Sequence, residues 1–481
     1  MNGAATTPRM CIDRRPGGRE KLAEMDQSMN AVTGADMAVP LRKTLREYAD
    51  RPAFVYAGQQ HTYRELLSMA DEWTAYLDAE SVGAGAVTML EGVSSPHTCA
   101  ALLALIERQA IIVPRTPSSV AADAELTIAE VEVVLGAAGS GRRTCRRTGQ
   151  SARNELYARL RAAGSPGLVL FSSGTTGRSK ASVLDFAKLL ARHRPGAAEG
   201  RRVLQFPHFD HIGGINTLLR TLAGGGTVVT VPERTPDTVF GAIAAHGVQV
   251  LPTTPTFLKM ALLTGADRRY PTDTLELITY GAEPMPQHTL ELLRAALPAV
   301  RLKQIYGLSE LGILPTKSRA DGSRWMKLGT AGFAHRIVDG ILWIKSDTAM
   351  LGYLNASAEF DDEGYFNTQD MVEIDGEYIR ILGRRSEIIN VGGEKVYPSE
   401  VENVVLEVPN VCDVTVTGHP SPILGMVVKA TVRLERDEDE HSVRLRVREH
   451  CRNRLAAFKV PALMHVSHEP MHTARFKKAR G

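Results

Sequence analysis

Cysteine is scarce in this chain. The five residues Cys11, Cys99, Cys145, Cys412 and Cys451 are odd in number and form no Cys-x-x-Cys pair. That pattern argues against a disulfide framework or a structural zinc site and fits a reducing, cytoplasmic setting. Missing too is any run of about twenty apolar residues, so no membrane span is expected. The polar residues 1–39 carry Arg14, Arg15, Arg19 and Lys21 with no apolar stretch behind them. They are expected to form a flexible lead rather than a secretory signal. An excess of one charge is lacking as well. The 57 basic side chains face 54 acidic ones, a net of +3, which gives no case for a nucleic-acid partner. The clusters Arg142-Arg143, Arg146-Arg147 and Arg475 to Arg480 read as solvated loops. No internal repeat is visible.

What is present suits a globular protein: 481 residues, 43% hydrophobic and 23% charged, a length that predicts two or three domains. From Pro40 to about Gly383 strand-like and helix-like runs alternate, the pattern of α/β layers. Thr227 to Val231 reads as a buried strand, and Pro286 to Leu297 as a helix with Leu290, Leu293 and Leu297 on one face. Val372-Glu373-Ile374 and Tyr378 to Ile381 flank Asp375-Gly376, a hairpin pattern with a turn of the I′ type. It carries the chain from Asp370 to Arg384, so both can lie at one edge of a site. A new unit is expected from Ser386. Ser399 and Glu402 form a capping-box pattern, Asp413 to Thr417 and Met426 to Leu434 read as strands, and Val443 to Phe458 reads as a helix. This gives a small α+β domain over 386–481 beside a larger one over 40–385.

The most informative run follows the apolar Leu168-Val169-Leu170. It reads Phe171-Ser172-Ser173-Gly174-Thr175-Thr176-Gly177-Arg178-Ser179-Lys180. Glycines that admit positive φ, hydroxyl donors and one closing lysine suit a loop that handles phosphate. A Walker loop requires Gly-Lys-Ser/Thr at its end, and Arg178-Ser179 between Gly177 and Lys180 rule that out. An ordinary polar turn after a buried strand is the other reading of the same residues.

Three further segments follow in order: Gln304 to Glu310 (Gln-Ile-Tyr-Gly-Leu-Ser-Glu), Phe366 to Asp370 (Phe-Asn-Thr-Gln-Asp), and Gly383 to Gly393 (Gly-Arg-Arg-Ser-Glu-Ile-Ile-Asn-Val-Gly-Gly). With the 171–180 run and Thr62-Tyr63-Arg64-Glu65-Leu66, the chain resembles the adenylate-forming superfamily of acyl- and aryl-CoA synthetases, luciferases and peptide-synthetase adenylation domains. The segment Ser386 to Glu402 is most similar to the acyl-CoA ligase branch. The resemblance implies a large domain of two packed α/β subdomains plus a distorted β-barrel, and a small mobile α+β C-terminal domain. It also implies an acid–thiol ligase that forms an acyl-adenylate from ATP and then a thioester.

Residue by residue, it implies that Ser172 to Gly177 and Lys180 hold the β- and γ-phosphates. Ser309 would contact the α-phosphate and Glu310 would organise Mg2+. Gly281-Ala282-Glu283, Tyr306 and Gly307 would line the adenine site, and Asp370 with Arg384 the ribose. Lys477 would bridge carboxylate and phosphate, with Lys478 a competing choice. Arg385-Ser386 would be the hinge, and Gly392-Gly393-Glu394 would line a path for CoA or for the phosphopantetheine of a carrier protein. His211, Asp210 and Tyr280 would shape the acid pocket, Asp210 raising the idea of an amino-acid substrate.

The chain departs from the family at Gln369, where Gly is usual, at Ser179 and Ala181 beside Lys180, at Asn390, and at Phe476, again in place of Gly. These departures keep two other readings open, conversion of a preformed acyl-adenylate with weak adenylation and a silent scaffold that kept the fold, and the residues leave loading of a carrier protein open as well. An oxygenase of the luciferase kind has no supporting residue.

Overall fold

The computed structural model describes residues 34–117, 122–173, 179–193, 200–320, 323–469, 471–472 and 478. Two seven-stranded sheets dominate. In one, Arg301–Gln304, Leu277–Tyr280, Val250–Thr253, Arg202–Leu204, Thr227–Val229 and Pro52–Tyr56 run parallel in that spatial order, with Gln59–Thr62 antiparallel at the edge. In the other, Gly167–Ser173, Ile111–Arg115, Val87–Gly92 and Val133–Ala137 form the parallel centre. Its antiparallel edges are Ser179–Asp185 with Gly352–Tyr353 on one side and Arg143–Arg147 on the other.

Parallel strands need both faces covered. The helix Pro96–Glu107 serves this: its sequence is apolar all round, and ten of its residues, Pro96 and Thr98 to Ile106, are buried. Beside it, Tyr63–Ala79 starts with a true capping box, Thr62 and Glu65 exchanging hydrogen bonds. It buries Tyr63, Leu66, Ala70, Trp73 and Leu77 in the same core.

A six-stranded antiparallel sheet, from Thr316–Ser318 through Tyr378–Arg384 and Phe366–Asp375 to Phe333–Val338, stands where the resemblance implied a barrel. From Ile389 onward the chain builds its own sheet and core, in which Val396, Val401, Val414, Val432, Val443 and Cys451 are fully buried.

Five local expectations change. The basic cluster read as a solvated loop forms the edge strand Arg143–Arg147. The strand expected over 227–231 is Thr227–Val229. The hairpin pairs Asp375 with Tyr378, so the turn residues are Gly376 and Glu377, not Asp375 and Gly376. Gly376 has φ +62° and Glu377 is not in the positive region, which is the glycine-first pattern of a II′-type turn. The capping box at Ser399 and Glu402 does not form. Pro398 opens the helix Pro398–Val405 with Tyr397 as cap, Ser399 Oγ donates to Leu382 O at 2.5 Å, and Glu402 is buried at 3% exposure. The last helix is Glu440–Arg452, capped by Asp439, and the chain beyond it turns rather than continuing to Phe458.

Candidate adenylate-forming site

The hairpin register sets the first group in place, because Asp370 and Arg384 are direct cross-strand partners. Arg384 Nε lies 2.8 Å from Asp370 Oδ1, and the Tyr306 hydroxyl donates to Oδ2 at 2.5 Å. Arg384 also donates to Thr368 O at 2.8 Å. Burial raises the Asp370 pKa, while Arg384 and Tyr306 pull it down. The Tyr306 phenol is pushed well above its ordinary value, first by burial and then by Asp370. Each carboxylate oxygen keeps a spare lone-pair site, so the pair forms a fixed, charged acceptor edge.

Gln369, next to it, takes φ +60°, a left-handed conformation that glycine adopts without strain. Its amide nitrogen donates to Glu359 Oε2 at 2.6 Å, and its backbone N–H to Asn367 Oδ1 at 3.0 Å.

A second group joins two sheets. Ser172 and Lys180 are register partners in the antiparallel pairing of Gly167–Ser173 with Ser179–Asp185. Gly174, Thr175, Thr176 and Gly177 lie outside the described residues, as does the Ser173 side chain. The edge strand Gly352–Tyr353 pairs with Ser182 and Val183 and thereby sets the Tyr353 ring under Lys180 Nζ, 5.2 Å from its centroid. The Tyr353 hydroxyl donates to Glu310 Oε1 at 2.6 Å. Its phenol pKa is raised, first by burial and then by Glu310. Tyr353 was not singled out from the sequence; the only signal is its position at the end of an apolar run.

Between these groups the adenine-site candidates line the same cleft, of about 2750 Å³, together with Ser172, Lys180, His211, Ser309, Glu310 and Ser386. A Cβ on Gly281 would lie 2.8 Å from Ile305 O, and one on Gly307 2.8 Å from Gly312 O. The backbone passes too closely there for a side chain. Ala282 follows in the left-handed region at φ +71°. Glu283 accepts from Thr256 N at 2.7 Å and from Lys478 N at 3.1 Å, and burial raises its pKa.

On the acid side, His211 caps the helix Ile212–Ala223 without a side-chain capping bond and lines the cleft. Gly214 is required there, since its Cβ would fall 1.9 Å from His208 O. Asn216 and Thr217 follow along the cleft wall. The structure takes two expected pocket residues out of the lining. Asp210 is buried and accepts from Thr116 N and Oγ1 at 3.3 and 2.5 Å. Tyr280, 1% exposed, packs into the core of its sheet. His208 and Arg234 line the cleft instead, 2.9 Å apart through Nε2 and NH1.

The C-terminal candidates separate. Gly392, Gly393 and Glu394 lie at the exposed turn between Ile389–Val391 and Glu394–Val396, away from the cleft lining. Arg385 and Ser386 sit in a single 3-10 turn directly after Arg384. Lys477 is outside the described residues. Lys478 is described, and its Nζ donates to the buried Glu402 Oε2 at 3.0 Å and to Val414 O at 2.9 Å. That commits the competing lysine to a packed ion pair. Among the described residues no three His, Cys, Asp or Glu side chains converge as a metal cage, and no helix is long and apolar enough to cross a membrane.

A family model for AMP-binding enzymes matches residues 41–354, and one for the C-terminal domain of AMP-binding enzymes matches 400–477. The indoleacetate–CoA ligase of Aromatoleum aromaticum is 32% identical over 297 residues, which are 56% of this chain and 57% of that protein. The matched region spans 57–61% of such curated relatives. In structure, the chain resembles the anthranilate CoA ligase AuaEII in complex with anthranoyl-AMP, with a TM-score of 0.79 at 20% identity over 93% of this chain and 95% of that one. It also resembles ATP-bound MatB from Rhodopseudomonas palustris, at 0.77 and 22% over 92% and 97%. At these identities the likeness speaks for the fold.

Proposed function

This chain belongs to the AMP-binding enzyme family, and on that premise we propose that it activates a carboxylic acid with ATP and passes the acyl group to CoA. In the first half-reaction a carboxylate oxygen attacks the α-phosphorus, the bond to the bridging oxygen breaks, and pyrophosphate leaves with that electron pair. In the second, the CoA thiol loses its proton and its sulfur attacks the acyl carbon, and AMP departs.

All reactants of the first step are anions, so the protein's task is charge neutralisation and in-line placement. Asp370 would accept from the ribose hydroxyls, with Arg384 and Tyr306 fixing its two oxygens. Gly281, Ala282, Gly307 and Tyr306 would wall the base, Lys180 and the 172–177 run would meet the phosphates, and Ser309 would donate to the α-phosphate. Lys477 would bridge carboxylate and phosphate. His211 would face the acid, and Gly392 to Glu394 would meet pantetheine after rotation about Arg385-Ser386.

Glu310 fits a magnesium site. It offers a hard oxygen, leaves Oε2 outside the Tyr353 bond, and such ions commonly take one or two carboxylates plus substrate phosphates. When bound, the ion would neutralise phosphate charge.

One observation carries this reading: the Asp370–Arg384–Tyr306 group, the Lys180–Tyr353–Glu310 group and Gly281 share one cleft although they come from three sheets and connecting segments. Acid-dependent exchange of labelled pyrophosphate into ATP, over aliphatic, aromatic and amino acids and with or without CoA, tests it. At least one acid is expected to support exchange and to yield a CoA thioester. Exchange with none of them, in the presence of Mg2+, refutes the ligase reading.

A further inference from the structure

The cleft extends past the adenylate residues, along the strand Leu277–Tyr280, and at that depth its lining includes His193, Arg220, Arg301 and Lys303. Two elements carry these cations. Lys303 is the register partner of Thr279 and Arg301 of Leu277, so at about 3.3 Å per residue they lie roughly 7 and 13 Å down the sheet from Gly281. On the opposite wall Arg220 is nine positions after His211, in the helix Ile212–Ala223, about 13 Å at 1.5 Å per residue.

Arg220 and Arg301 are exposed while Lys303 and His193 are half-buried, so the cations gather where this end of the cleft meets solvent. Val203, Val250 and Leu277 make the surroundings apolar. The charges acting on Lys303 are those of Arg220 and Arg301, and those on His193 are Arg220 and Arg192, all positive. Burial first, then these like charges, holds Lys303 below the ordinary lysine range and His193 at about 4. Among the described residues no carboxylate pairs with Arg220 or Lys303. Like charges gathered beside apolar walls repel one another, and an anion placed between them removes that cost.

We propose that this end of the cleft binds a second anionic group on the acid itself, so that the substrate class is a dianionic acid. One carboxylate is adenylated, and a carboxylate or comparable oxyanion roughly 7–13 Å away, by the strand spacing, is held by Lys303 and Arg220. This rests on the ligase reading above and adds the substrate class to it.

The test is pyrophosphate exchange by the full chain without CoA, using pimelic, suberic, azelaic and sebacic acids, each against its monomethyl ester of the same length. Leaving out CoA ensures that its phosphates cannot supply the anion. At least one diacid is expected to exceed its monoester about tenfold or more in kcat/KM, in line with a charged hydrogen bond. Lys303→Met and Arg220→Met are expected to bring that ratio toward one, chiefly through KM, and Lys303→Arg to preserve it. Should the Met variants fail to fold, the wild-type ratio and Lys303→Arg still decide. Monoesters that match the diacids at every length, or simple monocarboxylic acids that work while the diacids do not, overturn the proposal and leave the ligase reading intact. No exchange with any acid overturns the ligase reading and this inference with it.

Discussion

Replacing Tyr353 by Phe removes one oxygen and leaves the ring beneath Lys180 in place. The lost group is the donor to Glu310 Oε1 at 2.6 Å, a hydrogen bond to a charged acceptor of about 1.5–3 kcal/mol. The cation–π contact at 5.2 Å survives, so the change isolates the orientation of Glu310. If that orientation is used in the transition state of adenylation, the same 1.5–3 kcal/mol appears as a loss of one to two decades in kcat/KM, at about 1.4 kcal/mol per decade. On the ligase reading Tyr353 would be a positioning residue, acting through Glu310. The assay compares pyrophosphate exchange with thioester formation from synthetic acyl-adenylate and CoA, because the second half-reaction carries no pyrophosphate and has no need of Glu310. We expect exchange to fall by about tenfold to a hundredfold, with the second step within about twofold. The magnesium dependence of exchange should shift to higher concentration, a readout that loss of packing alone would not move. Wild-type exchange in Tyr353→Phe, or an equal loss in both half-reactions, refutes the reasoning.

Other expectations follow from the same geometry. Gln369→Gly relieves a left-handed backbone at φ +60° and should stabilise the fold by about 1 kcal/mol, read as a raised urea midpoint; a lowered midpoint would show that the Glu359 contact outweighs the strain. Lys477→Ala should lower exchange by about 10²–10³ and spare thioester formation, whereas Lys478→Met strips the partner from buried Glu402 and should cost about 3–5 kcal/mol in thermal or denaturant unfolding, so equal behaviour of the two variants would undo the distinction drawn between them. His193 is held at about 4 by burial and neighbouring arginines. Its folded pKa lies below its unfolded value, so its contribution is complete above the unfolded pKa near 6.5 and is lost as pH falls through 4. Stability should therefore decline over that window and decline less in His193→Asn; identical pH profiles count against it.

Most of the residues proposed to meet nucleotide were legible in the sequence as short runs whose chemistry is local, and the described ones line one cleft. Asp370 and Arg384 flank a hairpin readable from alternation and a Gly turn, and Ser172 with Lys180 bracket one glycine-rich run. The sequence erred where a residue's environment is supplied from far away. Asp210 looked like a pocket acid, yet its partner is Thr116, 94 positions earlier. Ser399 and Glu402 have the spacing of a capping box, but Pro398 already starts the helix, and the glutamate turns inward to meet Val416 and Lys478. Tyr353 carried no motif, and only the pairing of its strand with Ser179–Asp185 sets it between Lys180 and Glu310.

By itself, then, the sequence determined the layered α/β class, the order of the family motifs and the hairpin that holds the carboxylate–guanidinium pair, since these depend on periodicity and on residues close along the chain. Tertiary structure alone decided that Lys478 is bound to a buried glutamate, which tyrosine orients Glu310, and that Arg220 and Lys303 line one groove. Those outcomes depend on contacts between segments some 40 to 195 residues apart, and no local pattern encodes which distant surfaces meet when the sheets close on their shared cores.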